Sequence, residues 1–158
     1  MKAQAIELFS NYGQEVVFFH VLSAIIWVGG MIAIRLAVHP TMQTIDDPKI
    51  KLGKTLMLMG KFFNIVIPFI LILLFTAVIL IFAMGKSPMI EIKEYIWIIM
   101  AANFTWMYLK RRKAQKLFDE GKLPEAKALV ALIPKILLPL NIVLGLVALW
   151  LGVGLRGL

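Results

Sequence analysis

The sequence predicts an all-α integral membrane protein, built as one bundle of four transmembrane helices. Three observations lead to this fold class. Hydrophobic residues make up 61% of the 158-residue chain, whereas soluble domains contain about 45–50%. Four mostly apolar stretches approach or exceed the length needed to cross about 30 Å of hydrocarbon. A soluble chain this short would also expose too much apolar surface, because small domains have a high surface-to-volume ratio.

The four predicted spans cover residues 16–38, 62–84, 92–109 and 129–155 of a single transmembrane domain, 1–158. The first contains Arg35 near its end, and the second contains no charged residue. The third is the shortest, and it reaches a spanning length by including Lys93, whose aliphatic stem can extend towards the interface. The fourth contains Lys135 between two prolines.

The stretches between the spans are predicted to be loops. His39-Pro40 is expected to end the first helix, because proline disfavours helical backbone at the residue before it. Asp46-Asp47-Pro48 is typical of a helix start. A tight turn is predicted at 85–88, and a second interruption at 119–124.

Basic residues are distributed unevenly between the two ends of the predicted bundle. Twelve follow the first and third spans, from Arg35 to Lys61 and from Lys110 to Lys127, whereas four lie at the opposite end. Lysine and arginine are enriched in cytoplasmic loops. The asymmetry therefore predicts a multi-pass protein with both basic stretches in the cytoplasm and both termini outside. We assign the net charge of +8 to contact with an anionic bilayer surface rather than nucleic acid.

The sequence also excludes several classes of site. It contains no cysteine, which rules out disulfides, thiolate metal sites and cysteine nucleophiles. Nothing in it is typical of a nucleotide loop, a catalytic triad, a zinc site or a nucleic-acid module. No catalytic residue is assigned, and whether the protein is an enzyme stays open.

His20, about one turn into the first span, is the main candidate for a functional residue. Ser23, Trp27 and Gly30 follow it on the same helix face, and Gly29 and Gly30 are expected to contact another helix closely. An ionisable residue inside a membrane indicates a functional site by default. Two interpretations remain: a haem or metal ligand, or an interfacial histidine bonded to headgroups or to a neighbouring carbonyl.

Counting residues from the membrane surface indicates the partners of His20. The first and third spans run in the same direction, so His20 should lie level with residues 93–97. In the third span, Lys93, Trp97 and Met100 share one face. Together with Trp27 they would line a space for a planar cofactor such as haem b, with Lys93 or Met100 as the second axial ligand. The alternative for Lys93 is an interfacial anchor, paired with a neighbouring glutamate.

Copper is the other cofactor that the sequence allows. The chain has nine methionines, and thioether sulfurs suit Cu(I), so His20 and Met100 are the candidate metal ligands. The methionines are nevertheless scattered without a repeated spacing. Most of them are therefore expected to pack between helices.

Several short motifs resemble a known group of membrane proteins. The first-span segment from His20 to Gly30, HVLSAIIWVGG, resembles the CopD copper-resistance domain family and the distantly similar HemJ-type protoporphyrinogen oxidases. Further similarities to this group lie at Arg35–His39, Lys61–Pro68, Lys93, Leu109–Lys113 and Pro134.

The resemblance implies a four-helix protein of the bacterial inner (cytoplasmic) membrane. From HemJ proteins it implies haem b held by the first-helix histidine and the third-helix lysine, which here are His20 and Lys93. From CopD proteins it implies copper handling. The chain has Asn103-Phe104 where HemJ proteins usually carry a histidine, and Trp27-Val-Gly-Gly is closer to CopD.

Three functional hypotheses follow. The protein is a CopD-like membrane protein that handles copper or haem b at His20, a HemJ-type protoporphyrinogen IX oxidase, or a non-catalytic accessory subunit of a membrane complex. Its expected partners are membrane lipid, a haem, porphyrin or copper ligand, and a second copy of the chain, with no nucleic acid.

Overall fold

The protein is an all-α helical bundle, as the sequence predicts. The computed structural model describes residues 2–85 and 87–154. Four long helices contain nearly all of these residues: α1 (Lys2–Gln43), α2 (Pro48–Met84), α3 (Pro88–Asp119) and α4 (Leu123–Gly154). No strand forms within the described part of the chain.

Three of the four helices are long and apolar enough to cross a membrane, namely α1, α2 and α4. Among the described helices α3 is the exception, because Lys93, Glu94 and Asn103 interrupt its apolar stretch. Large apolar side chains cover the outside of the bundle, including Leu36 and Trp150, which are 73% and 75% exposed. Such a surface needs lipid as its solvent, so the chain is a membrane protein.

Helix starts follow the predicted capping chemistry. Asp47 accepts hydrogen bonds from the backbone N–H groups of Lys49 and Ile50, at 2.7 and 2.9 Å, which confirms the predicted start of α2. Ser87 accepts from the N–H of Ile90 at 3.3 Å and caps α3. Gly85 precedes it with a φ of +80°, a conformation that favours glycine. Lys86, within the predicted turn, lies outside the described residues.

The prediction that His39-Pro40 ends the first helix was wrong, because α1 continues to Gln43. The backbone passes Pro40 by widening into a π turn at Ile34–Val38 just before it. Proline has no N–H and its ring clashes with the carbonyl four residues earlier, and this carbonyl lies inside the π turn. The same arrangement recurs in α4, where a π turn at Ile133–Leu137 precedes Pro139. A third π turn, Ile25–Gly29, contains no proline.

The two basic stretches are also not loops, contrary to the prediction. Most of their residues extend α2, α3 and α4 as helices, joined by short turns at 44–47 and 120–122. At 37 residues, α2 is about 55 Å long, well beyond the hydrocarbon thickness. This end of the molecule, residues 48–61 and 110–130, is called the basic end below. Its core combines large side chains such as Leu56 with the small side chains of Ala114 and Ala126, all three fully buried.

The middle of the bundle is closed by aromatic packing. Phe104 of α3 lies between Trp27 of α1 and Phe63 of α2, with ring centroids 6.0 and 5.1 Å away and edge-to-face geometry. Gly145 allows α4 to approach α1, since a Cβ there would lie 2.5 Å from a methyl group of Val28. The opposite end from the basic end, which contains His20, is called the His20 end.

Candidate functional site

The side chain of His20 crosses from α1 to α2. Its Nδ1 lies 2.9 Å from the hydroxyl oxygen of Thr76, 56 residues further along the chain. Thr76 is 4% exposed, and its hydroxyl also lies 2.7 Å from the carbonyl oxygen of Ile72 and 3.1 Å from that of Leu73. The imidazole therefore faces the bundle and is fixed in orientation, as expected for a functional residue.

The hydroxyl of Thr76 has one proton and three acceptors within reach, namely the carbonyl oxygens of Ile72 and Leu73 and Nδ1 of His20. The donor and acceptor roles of Thr76 and His20 depend on the tautomer of the ring. In the tautomer with the proton on Nδ1, the ring donates to Thr76 and the lone pair of Nε2 can bind a metal. A second group that fixes the orientation and tautomer of a ligand histidine is a common feature of metal sites.

Lys93 lies near His20, as counting along the helices predicts. Its ammonium is within range of a Coulomb interaction with the imidazole, and it is half-buried. The Nζ atom lies 3.0 Å from the point that a Cβ of Gly152 would occupy, so the side chain crosses from α3 towards α4. The alternative pairing with Glu91 or Glu94 is not formed, since among the described residues no carboxylate lies within ion-pair distance of Lys93.

The other predicted site residues occupy a deeper level. Trp27 and Met100 each follow His20 or Lys93 by seven residues, about 10 Å along the helix axis. Trp27 is 1% exposed and stacks edge-on against Phe104. Met100 is 4% exposed, and its methyl group lies against Gly145 of α4. Both residues fill the core beneath the His20–Lys93 level, and Trp97, one turn from Lys93, is partly buried.

Three buried polar atoms at or below the His20–Lys93 level have no hydrogen-bond partner among the described residues: Ser23 Oγ, Trp27 Nε1 and Trp97 Nε1. Unpaired buried polar groups are rare, and each needs a physical explanation. The two indoles can only donate a hydrogen bond, and a serine hydroxyl can do so. Together with Lys93, these groups offer donors to an acceptor such as water or a carboxylate oxygen.

Asn103 joins α3 to α4 through a buried polar network rather than facing the site. Its amide donates to the carbonyl of Leu137 at 2.8 Å and to Oδ1 of Asn141 at 2.7 Å. Asn141, fully buried, donates in turn to the carbonyl of Met100 at 3.2 Å. Asn103 is therefore a structural amide that links the two helices.

Copper and haem, the two predicted cofactors, require different numbers of protein ligands. Within the described residues, no group of three or more His, Cys, Asp or Glu side chains could hold a metal ion. A copper centre built by protein alone would need several close ligands, and Met100 lies about 10 Å deeper than His20. A haem supplies four nitrogens of its own, so one or two axial protein ligands suffice.

Sequence analysis did not identify two residues of this site. Thr76 is the single serine or threonine of the second predicted span, and a hydroxyl at the depth of His20 is a signal for pairing. Gly152 gave no signal, because its role is the space that it leaves for Lys93.

Comparisons of the chain with protein-family models, curated proteins and solved structures gave no match.

Proposed function

We propose that this protein is an integral membrane haem b protein in which Nε2 of His20 and Nζ of Lys93 are the axial ligands. The observation that supports it most strongly is the bond between Thr76 and Nδ1 of His20. That bond holds the imidazole in one orientation and leaves the coordinating nitrogen free. The resemblance to HemJ proteins points to the same two residues.

The environment of Lys93 suits a ligand amine. Only the neutral amine has a lone pair for a metal, and a lysine held by a carboxylate would stay charged. Lys93 is half-buried and has no such partner among the described residues. The lack of a side chain at Gly152 lets Nζ lie close to the backbone of α4, 3.0 Å from where a Cβ would be.

The remaining residues shape the surroundings of the site. A bound haem b supplies one-electron redox chemistry, with a potential set by its axial ligands and the local polarity. Trp27 and Phe104 close the core below and exclude water from that side. Ser23 and Trp97, each about one turn from His20 or Lys93, have unpaired donors that suit the carboxylate oxygens of a porphyrin.

Redox spectroscopy of the purified protein tests the proposal. Dithionite reduction should give a b-type absorption spectrum. His20→Ala should abolish it, whereas His39→Ala should retain it, because His39 lies at the other end of α1, where its ring is 3.5 Å from the amide nitrogen of Gln43. If both variants retain haem, the proposal is wrong.

Lys93→Ala should keep the haem but shift its spectrum, since water or another side chain replaces the lost axial ligand. Lys135→Ala, which removes an exposed lysine of α4, is the matched control and should leave the spectrum unchanged. Elemental analysis of the same samples distinguishes copper from iron. Stoichiometric copper without haem would favour the CopD-like alternative.

A second candidate is a non-catalytic subunit of a membrane complex. The close packing of Trp27 against Phe104 favours it, because core residues that already fill their space need no ligand. In that case the purified protein would carry neither haem nor copper, and His20→Ala would lower only stability. Oxidation of protoporphyrinogen IX, followed by porphyrin fluorescence, separates a HemJ-type oxidase from either alternative.

The proposed orientation places the basic end in the cytoplasm of a bacterial cell and the His20 end at the opposite face of the inner membrane. Twelve basic residues on one side support it. A reporter enzyme that works only outside the cytoplasm should be active when it is fused to the C-terminus. A cytoplasmic C-terminus would contradict this orientation.

A further inference from the structure

A groove between α3 and α4 at the basic end is separate from the His20 site. It has a volume of about 460 Å³, within the range of small-molecule sites. It is lined by Trp106, Lys110, Lys113, Leu117, Glu125, Ala128, Leu129, Leu132 and Leu137. Both lysines lie on the α3 side of the groove, whereas Ala128, Leu129, Leu132 and Leu137 lie on the α4 side.

The two lysines of this groove form no ion pair with the described part of the protein. No carboxylate of the described residues lies within ion-pair distance of Lys110 or Lys113. The ammonium of Lys110 lies 5.2 Å from the centroid of the Trp106 ring, a cation–π arrangement typical of a membrane interface. The segment 110–127 contains seven basic and three acidic residues. The groove therefore combines two lysines without ion-pair partners on its α3 side with a mostly apolar α4 side.

We propose that this groove binds one anionic phospholipid, with its phosphate at Lys110 and Lys113 and an acyl chain along Leu129 and Leu132. A lysine pair complements a phosphate, and exposed Leu132 and Trp106 with partly buried Leu129 offer contacts to a hydrocarbon chain. A free phosphate would not cover the apolar lining of the groove. The carboxylate of Glu125 is suited to accept a hydrogen bond from a headgroup hydroxyl, as in phosphatidylglycerol.

Native mass spectrometry of the delipidated full-length protein tests this inference. Phosphatidylglycerol and phosphatidylcholine with identical acyl chains are the probes, and glycerol phosphate is the chain-free competitor. One molecule of phosphatidylglycerol should bind per chain in preference to phosphatidylcholine. Glycerol phosphate should not displace it, because it lacks the acyl chain. Displacement by glycerol phosphate, or equal binding of both lipids, would overturn the proposal.

Two variants locate the site. Lys110→Gln/Lys113→Gln should weaken phosphatidylglycerol binding about thirtyfold, since each basic residue near an anionic surface contributes roughly a factor of five. Lys116→Gln/Lys127→Gln removes the same charge from exposed positions of the same two helices outside the groove and should change binding less than threefold. Equal losses would show general electrostatics and refute a specific site.

A third variant tests the groove without changing any charge. Ala128→Trp places an indole in the space between the helices, and Ala128 is exposed, so folding should be preserved. Binding of phosphatidylglycerol should fall as in the double lysine variant. Unchanged binding would show that the lipid does not enter the groove.

Discussion

Two neighbouring glycines in α1 provide a sharp test of the packing. Gly29 and Gly30 were both expected to contact another helix. The structure confirms this for Gly30, whose Cβ would lie 2.5 Å from Cε2 and 3.2 Å from Cζ of Phe62. It contradicts it for Gly29, which is exposed and has nothing within 4 Å of its Cβ position. We therefore compare Gly30→Leu with Gly29→Leu.

The two variants share every effect except the contact with α2. Replacing glycine by leucine favours the helix by about 0.8–1 kcal/mol in each case. At Gly30 the four added carbons must displace the ring of Phe62, and such overpacking costs about 1–3 kcal/mol. At Gly29 the side chain enters open space. We expect Gly30→Leu to be less stable than Gly29→Leu by about 2 kcal/mol.

Reversible unfolding in mixed micelles, with SDS as the denaturant, measures this difference. The unfolding midpoint of Gly30→Leu should fall below that of the unmodified protein, whereas Gly29→Leu should match or exceed it. Equal midpoints for the two variants would refute the packing of Gly30 against Phe62. A loss confined to Gly29→Leu would refute the assignment of Gly29 to an open face.

Three further outcomes follow from hydrogen bonds in the structure. Thr76→Val should lower the haem affinity tenfold to a hundredfold and shift the midpoint potential of the haem, and Thr76→Ser should restore both. Spectral titration measures the affinity and potentiometry the potential, and an unchanged potential would contradict the positioning role of Thr76. Asn141→Ala should lower the free energy of unfolding by about 1–2 kcal/mol, because Asn141 is fully buried and makes two hydrogen bonds, and each such bond in a membrane protein contributes about 0.6 kcal/mol on average and at most about 1.7. Asn64→Ala, at an exposed position, should change the free energy little in the same SDS titration. Asp47→Ala should lower stability by about 1 kcal/mol through the lost cap of α2, and an unchanged midpoint would argue against that cap.

The polar residues of the core show where local sequence stops being informative. Helical spacing placed Lys93, Trp97 and Met100 on one face of α3, but a face does not specify which neighbour each residue meets. The structure turns Lys93 towards Gly152 and Met100 towards Gly145. Both contacts depend on glycines of α4, where the absence of a side chain sets how closely the helices approach.

The sequence by itself determined the number of helices, the apolar surface that requires lipid, the start of α2 after Asp47, and the concentration of basic residues at one end. These properties depend on composition and on interactions between residues a few positions apart, so they can be inferred without a fold. The continuation of α1 past Pro40 and the helical form of the basic stretches were decided by tertiary structure. There, packing between helices outweighs the weaker local preference for a break.

Tertiary structure also decided the partner of His20. Thr76 lies 56 residues away, and nothing local links the two, since their contact requires the rotation of α1 and α2 about their axes to be fixed. That rotation is set by packing across the whole interface, including Phe62 against Gly30 and Phe63 against Phe104. Sequence periodicity identifies the buried face of each helix, whereas the packed bundle decides which atoms meet across it.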